Sequence, residues 1–180
     1  MPSMRDLELY RAAQEARARA LPVAYREMNR IRAFGFPNIH PLSSVDVGIN
    51  TPDINDIDFI IGSTDVVETS KELDRLGIPF SRQIQTRRVH TYRTPEGYAI
   101  DVKVRPQREV DFAIPGYARM RAMSESDKVQ IISEKQRLKD AGDVPGYIRY
   151  KHSIYEKYGA IPPGGDWSLV KNNPRRTRSF

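Results

Sequence analysis

A chain of 180 residues with 29 Lys and Arg against 23 Asp and Glu carries a formal charge of +6 and has the length of one domain with a single real core. It has no cysteine, which excludes a disulfide framework and a thiolate metal site, and no apolar run approaches the roughly 18–20 residues of a membrane span. The opening residues lack the apolar stretch of a secretion signal, so the expected location is the cytoplasm, with no membrane partner, and the surplus of positive charge favours nucleic acid or nucleotide phosphates.

In chain order, residues 4–33 predict helix, because Leu7, Tyr10, Ala13, Ala20, Ala24, Met28 and Ile31 recur at helical spacing among Arg and Glu. Pro22 leaves open whether this is one helix or two, and Gly35 with Pro37 closes it. Residues 44–49 predict a short strand, and residues 54–62 a second, rich in β-branched side chains. Residues 64–76 follow as an amphipathic helix, capped by Ser63 or Thr64 and stopped at Gly77. Residues 88–92 and 98–104 predict two strands joined by a turn at Pro95 and Gly97. Helix returns from Tyr117 to Tyr158, with a capping box at Ser124–Asp127 and a break between Gly142 and Gly146.

The expected fold class is therefore α+β: a short mixed sheet over 44–105 with flanking helices, and a C-terminal helical part over 117–158. Residues 1–162 form a single domain, and 163–180 a flexible basic tail in which Trp167 is a candidate anchor.

The chemistry concentrates in the carboxylates. Residues two apart on a strand point to one face, so Asp56 and Asp58 emerge together while Ile57, Phe59 and Ile61 turn into a core. Two like charges that close destabilise each other unless a cation lies between them, and Mg²⁺ is the natural one, since it prefers carboxylate oxygens and leaves positions for substrate phosphates. A third carboxylate comes from Asp101 on the later strand, whose apolar face is Tyr98, Ile100, Val102 and Val104. Three carboxylates on neighbouring strands suit two ions about 3.5–4 Å apart. Lys103 and Arg105 follow on the same face, placed to meet phosphates.

The stretch from Gly48 to Phe59 resembles the signature of the nucleotidyltransferase superfamily, the DNA polymerase β-like fold, and most nearly its small bacterial and phage-type members. In that family a glycine-containing turn precedes an Asp-hydrophobic-Asp strand, and a third aspartate lies on a later strand. The run Arg137-Leu138-Lys139-Asp140-Ala141-Gly142-Asp143 is similar to a motif of a later helix in such proteins. The resemblance implies a metal-dependent transferase that moves a nucleoside monophosphate from an NTP such as ATP to a hydroxyl acceptor, a small molecule, RNA or protein. Asp56, Asp58 and Asp101 would be catalytic and metal ligands, with Mg²⁺ in a two-metal site. Gly48, Asn50, Thr51 and Lys103 would contact the nucleotide. Where the family usually has Gly-Ser, this chain has Gly48-Ile49, which leaves a second reading open: a catalytically degenerate member serving as a nucleic-acid-binding or assembly module.

His40, His90 and His152 show no metal-ligand spacing, and His90 is expected to face solvent from its strand. No G-x-S-x-G or Walker A motif is present. Arg82, Arg87, Arg88, Arg93, Lys103 and Arg105, interleaved with Tyr92 and Tyr98, form a basic surface suited to RNA or another polyanion, or simply a solvated sheet face. Tyr147, Tyr150, Tyr155 and Tyr158 are expected to pack within helices.

Overall fold

The structure, a computed structural model, describes residues 1–170; the rest of the basic tail, 171–180, lies outside the described residues. It is α+β, with a five-stranded mixed sheet and six α-helices among the described residues. The first helix, α1 (Met4–Ala33), is continuous through Pro22. The proline removes the hydrogen bond to the carbonyl of Ala18, and both residues lie on the exposed side, where water replaces the missing donor. Its start is closed by Ser3 and Asp6, each accepting from the other's backbone N–H.

The two-residue strand β1 (Ile39–His40) then leads to α2 (Ser44–Val47), where a strand is expected. The alternation of Val45, Val47 and Ile49 fits a strand, but these side chains feed two different cores, Val45 one and Val47 with Ile49 the other. Ser43 caps the turn by accepting from the Asp46 N–H, and Gly48 ends it at φ 79°.

The central strand β2 (Asp56–Ser63) is followed by α3 (Val66–Arg75), capped by Asp65. Next come β3 (Phe80–Ile84), β4 (Arg87–Arg93) and β5 (Ala99–Pro106). Neither β1 nor β3 is anticipated by the sequence pattern; β3 is exposed throughout and has no apolar alternation to mark it. The order across the sheet is β1-β2-β5-β4-β3, with β2 parallel to β5 and the other pairs antiparallel. Helix resumes ten residues before the expected Tyr117, as α4 (Gln107–Arg121), then α5 (Glu125–Asp140) and α6 (Val144–Lys157). Residues 163–169, within the stretch read as tail, form two short 3₁₀ turns, and Trp167 packs edge-on against Phe112, 5.9 Å between ring centres.

The strand period divides the sheet. One face carries Ile57, Phe59, Ile61, Ile100, Val102 and Val104, buried against Ala20, Ala24, Met28 and Ile31 of α1 and Leu73 of α3. The other carries Asp56, Asp58 and Ile60 on β2 beside Asp101, Lys103 and Arg105 on β5. Around Ile60 this second face is covered by Val110, Ala113 and Tyr117 of α4 and Tyr155 of α6. Past Ile60 toward the start of β2 the apolar cover ends, and the charged residues begin.

Candidate functional site

Parallel pairing of β2 with β5 fixes the carboxylates. Asp58 stands directly beside Asp101, and Asp56 beside Ala99, one pleat earlier on the same face. Asp56 is exposed, Asp58 half-buried and Asp101 buried at 9%. Partial desolvation at the strand end, reinforced by the charges of Asp101 and then Asp58, raises the Asp56 carboxyl above the ordinary aspartate value.

Two of the three already hold cations. Lys103 Nζ lies 3.0 Å from Asp58 Oδ1, and Arg82 Nη2 3.4 Å from Asp101 Oδ2. Thr91 Oγ1 donates to the other Asp101 oxygen at 2.7 Å. Among the described residues no three His, Cys, Asp or Glu side chains are gathered into a group that would hold a metal ion as they stand. The reason is electrostatic: Asp58 leans toward Lys103 and Asp101 toward Arg82.

Gly48, Asn50 and Thr51 lie in the loop that leads into β2, wedged between α1 and α5. The Gly48 carbonyl accepts from Gln14 at 3.3 Å. Asn50, 4% exposed, donates to the carbonyls of Ala13 and Thr51, while its Oδ1 is buried with no partner. Thr51 Oγ1 accepts from Lys139 Nζ at 2.7 Å and donates to Asp53. Lys103 thus adjoins the carboxylates, and the other three form a separate loop fastened by α5. Arg105, expected to reach phosphates, is instead 4% exposed, paired with the buried Glu109 at 3.5 Å and stacked 4.5 Å under Trp167.

Comparison with protein-family models, curated proteins and solved structures gives one result. Nothing matches the chain.

Sequence reasoning missed Lys135 and Lys151 of the helical layer, and named Lys139 only within the run similar to a family motif. Lys135 is 3% exposed; its Nζ donates to the carbonyl of Ile49 at 2.7 Å, and burial followed by repulsion from Lys151 and Lys139 pulls its pKa down to about 7. Lys135 and Lys139 both lie over the ring of Tyr147, at 5.9 and 5.7 Å. Burial foremost, and after it the negative charges of Asp53 and Asp58, raise the Tyr147 phenol, so this group feels the carboxylate face. The signal was present: Lys135 falls among Ile131, Ile132 and Leu138, on the buried face of α5.

His90 is fully buried rather than solvent-facing. Its Nδ1 meets the Ile78 carbonyl and its Nε2 the Ser70 hydroxyl, both at 2.7 Å. The tautomer follows from these partners: Nδ1 carries the proton, and Nε2 accepts from Ser70, whose oxygen accepts in turn from Arg88 Nε. The ring is a structural tie between α3 and β4.

Proposed function

We propose that the chain is a Mg²⁺-dependent nucleotidyltransferase of the DNA polymerase β-like kind, moving a nucleoside monophosphate from an NTP to a hydroxyl acceptor. One observation carries this reading: Asp56, Asp58 and Asp101 share one face of two adjacent parallel strands, where desolvation first, and then the charges of Asp101 and Asp58, raise the Asp56 carboxyl. Such mutual repulsion is what a divalent cation relieves, and three carboxylates are the hard oxygen donors that Mg²⁺ takes. Asp56, Asp58 and Asp101 would hold the metal, which supplies charge stabilisation for the phosphoryl group in transfer.

The chain's own residues do the rest. Lys139 and Lys151, on either side of Tyr147, offer positive charge to the polyphosphate. Lys103 neutralises Asp58 until substrate arrives. Asp101, oriented by Thr91, takes the proton of the acceptor hydroxyl. A bond forms between that oxygen and the α-phosphorus, the α–β anhydride bond breaks, and pyrophosphate leaves with its electron pair.

The test is thermal stability with each of the four NTPs, with and without Mg²⁺, on wild type and Asp58→Asn. A rise in Tm that needs both metal and NTP and disappears in the variant is expected. A well-folded wild type that responds to no combination overturns the reading. The second reading, a binding module without the chemistry, is favoured by the cations already seated on Asp58 and Asp101; it expects nucleic-acid binding indifferent to Mg²⁺ and to loss of Asp58.

A further inference from the structure

Beyond the carboxylates, the charged face of the sheet continues onto β4 and β3. Antiparallel pairing puts Thr91 opposite Asp101, Val89 opposite Lys103 and Arg93 opposite Ala99, so the face that holds the carboxylates also holds Arg93, Thr91, Val89 and Arg87. On β3, Arg82 pairs with Val89 and Ile84 with Arg87, which brings Arg82 and Ile84 to the same side. The Arg82–Asp101 contact confirms the direction for Arg82, and the repulsion between Arg87 and Arg105 for Arg87. The helix that packs on these two strands, α3, lies on the opposite face, where Ser70 meets His90.

The result is an arginine row with Asp101 at its side. From Arg93 to Arg87 it runs six residues along β4, about 20 Å. Its cations are poorly answered. Among the described residues neither Arg87 nor Arg93 is in an ion pair, and Arg82 has only the carboxylate that the proposed chemistry requires. Arg87 Nε and Arg105 Nε are both buried without a hydrogen-bond partner. Arginines that repel one another and leave donors unmade are costly in a resting fold, and an arriving row of anions would satisfy them.

The chemistry selects among anions. Guanidinium forks suit phosphate oxygens bidentately. A row of this length exceeds a small phosphorylated molecule, and Trp167, stacked on Arg105, stands near the Arg87 end as an aromatic surface for a base. We propose that this face of β4 and β3 is the track for the acceptor, and that the acceptor is a single-stranded nucleic acid whose terminal hydroxyl is delivered to Asp101. The assignment rests on the nucleotidyltransferase reading for its chemistry, while the binding itself does not depend on it.

The experiment uses the full chain and fluorescein-labelled 12-nucleotide RNA and DNA of one sequence, followed by anisotropy over a salt series. Wild type is expected to bind at least one of them, and the two arms identify which sugar is read. The Arg82→Gln/Arg87→Gln/Arg93→Gln variant is expected to lose at least tenfold in affinity, with the slope of log K against log salt smaller by about two. A variant of equal charge, Arg11→Gln/Arg19→Gln/Lys71→Gln on exposed positions of α1 and α3, is expected to stay within twofold. No binding by wild type, equal losses in the two variants, or displacement by poly-glutamate as effective as by unlabelled RNA would each overturn the proposal. The Tm response to Mg²⁺ and NTP is measured on the same proteins. Its retention in the arginine variant shows that the fold and nucleotide site are intact, and its absence from wild type, with the arginine dependence preserved, removes the transfer chemistry and leaves the strand-binding track standing.

Discussion

Lys135 offers the sharpest check on the layer facing the carboxylates. Its ammonium is buried among Lys139, Lys151 and the Tyr147 ring, with the Ile49 carbonyl as its one hydrogen-bond acceptor, and its pKa is pulled from 10.5 to about 7. Each tenfold change in proton affinity is worth about 1.36 kcal/mol, so the perturbation amounts to about 5 kcal/mol against the charged form. The sign follows from proton counts. Between pH 7 and 10.5 the unfolded chain keeps the proton that the folded chain has lost, so stability rises with pH across that window and is lowest below it. From pH 7 to 9 the rise attributable to Lys135 is about 2 kcal/mol, part of the first unit being lost to incomplete titration. Lys135→Met keeps the length of the stem and removes the titration, leaving the Ile49 carbonyl unpaired at about 1–3 kcal/mol. Urea unfolding of both proteins at pH 7, 8 and 9 makes the comparison. Wild type should gain about 2 kcal/mol on the variant over that range. Parallel curves would refute the buried, depressed lysine.

His90 and Gly116 test the scaffold. Burial lowers the His90 pKa, so the folded chain resists the proton that the unfolded chain accepts below about 6.5; stability should fall as pH drops through that value, and His90→Gln should flatten the fall in urea midpoints between pH 7 and 5. A protonated ring would also turn Nε2 into a donor facing a hydroxyl already committed to Arg88. In α4, a Cβ on Gly116 would collide with the backbone of Gly159 and Ala160, which has no flexible end to move away; Gly116→Ala should cost about 3 kcal/mol by urea unfolding, and a cost under about 0.5 kcal/mol would show that α4 and residues 159–160 are not packed so closely.

The parts of the fold legible in the sequence are those in which one local pattern answers to one core. On β2 and β5 the alternation of Ile57, Phe59 and Ile61, and of Ile100, Val102 and Val104, fits the buried face that forms. The carboxylates on the reverse side follow from the same period. Where a segment serves two cores, the pattern misleads: Val45, Val47 and Ile49 alternate like a strand and fold as a helical turn. β3 has no apolar period because it lies exposed at the sheet edge, and only its pairing with β4 makes it a strand. His90 shows a different failure. A histidine between Val89 and Thr91 looks solvated until a serine twenty residues away and the Ile78 carbonyl supply its two partners.

The site divides along the same line. Asp56, Asp58 and Asp101 could be named because a strand fixes their side at two-residue intervals. Lys135, Lys139 and Tyr147 come from α5 and α6, which follow β5 in the chain after α4, and no local period records which face of the sheet those helices meet. The order of the sheet explains why the charges meet there. The first face is apolar along both central strands and supplies the main sheet core, between α1 and α3. The second face needs its apolar cover mainly around Ile60, which leaves the start of β2 and much of β3 and β4 to carry groups that weaken the fold. The buried Lys135 and Arg105, the crowded Asp56 and the unpartnered Nε atoms of Arg87 and Arg105 all belong to this second side. Charges held at a cost to stability, gathered mostly on one face where acids and bases meet, are the arrangement that the proposed phosphate chemistry would use.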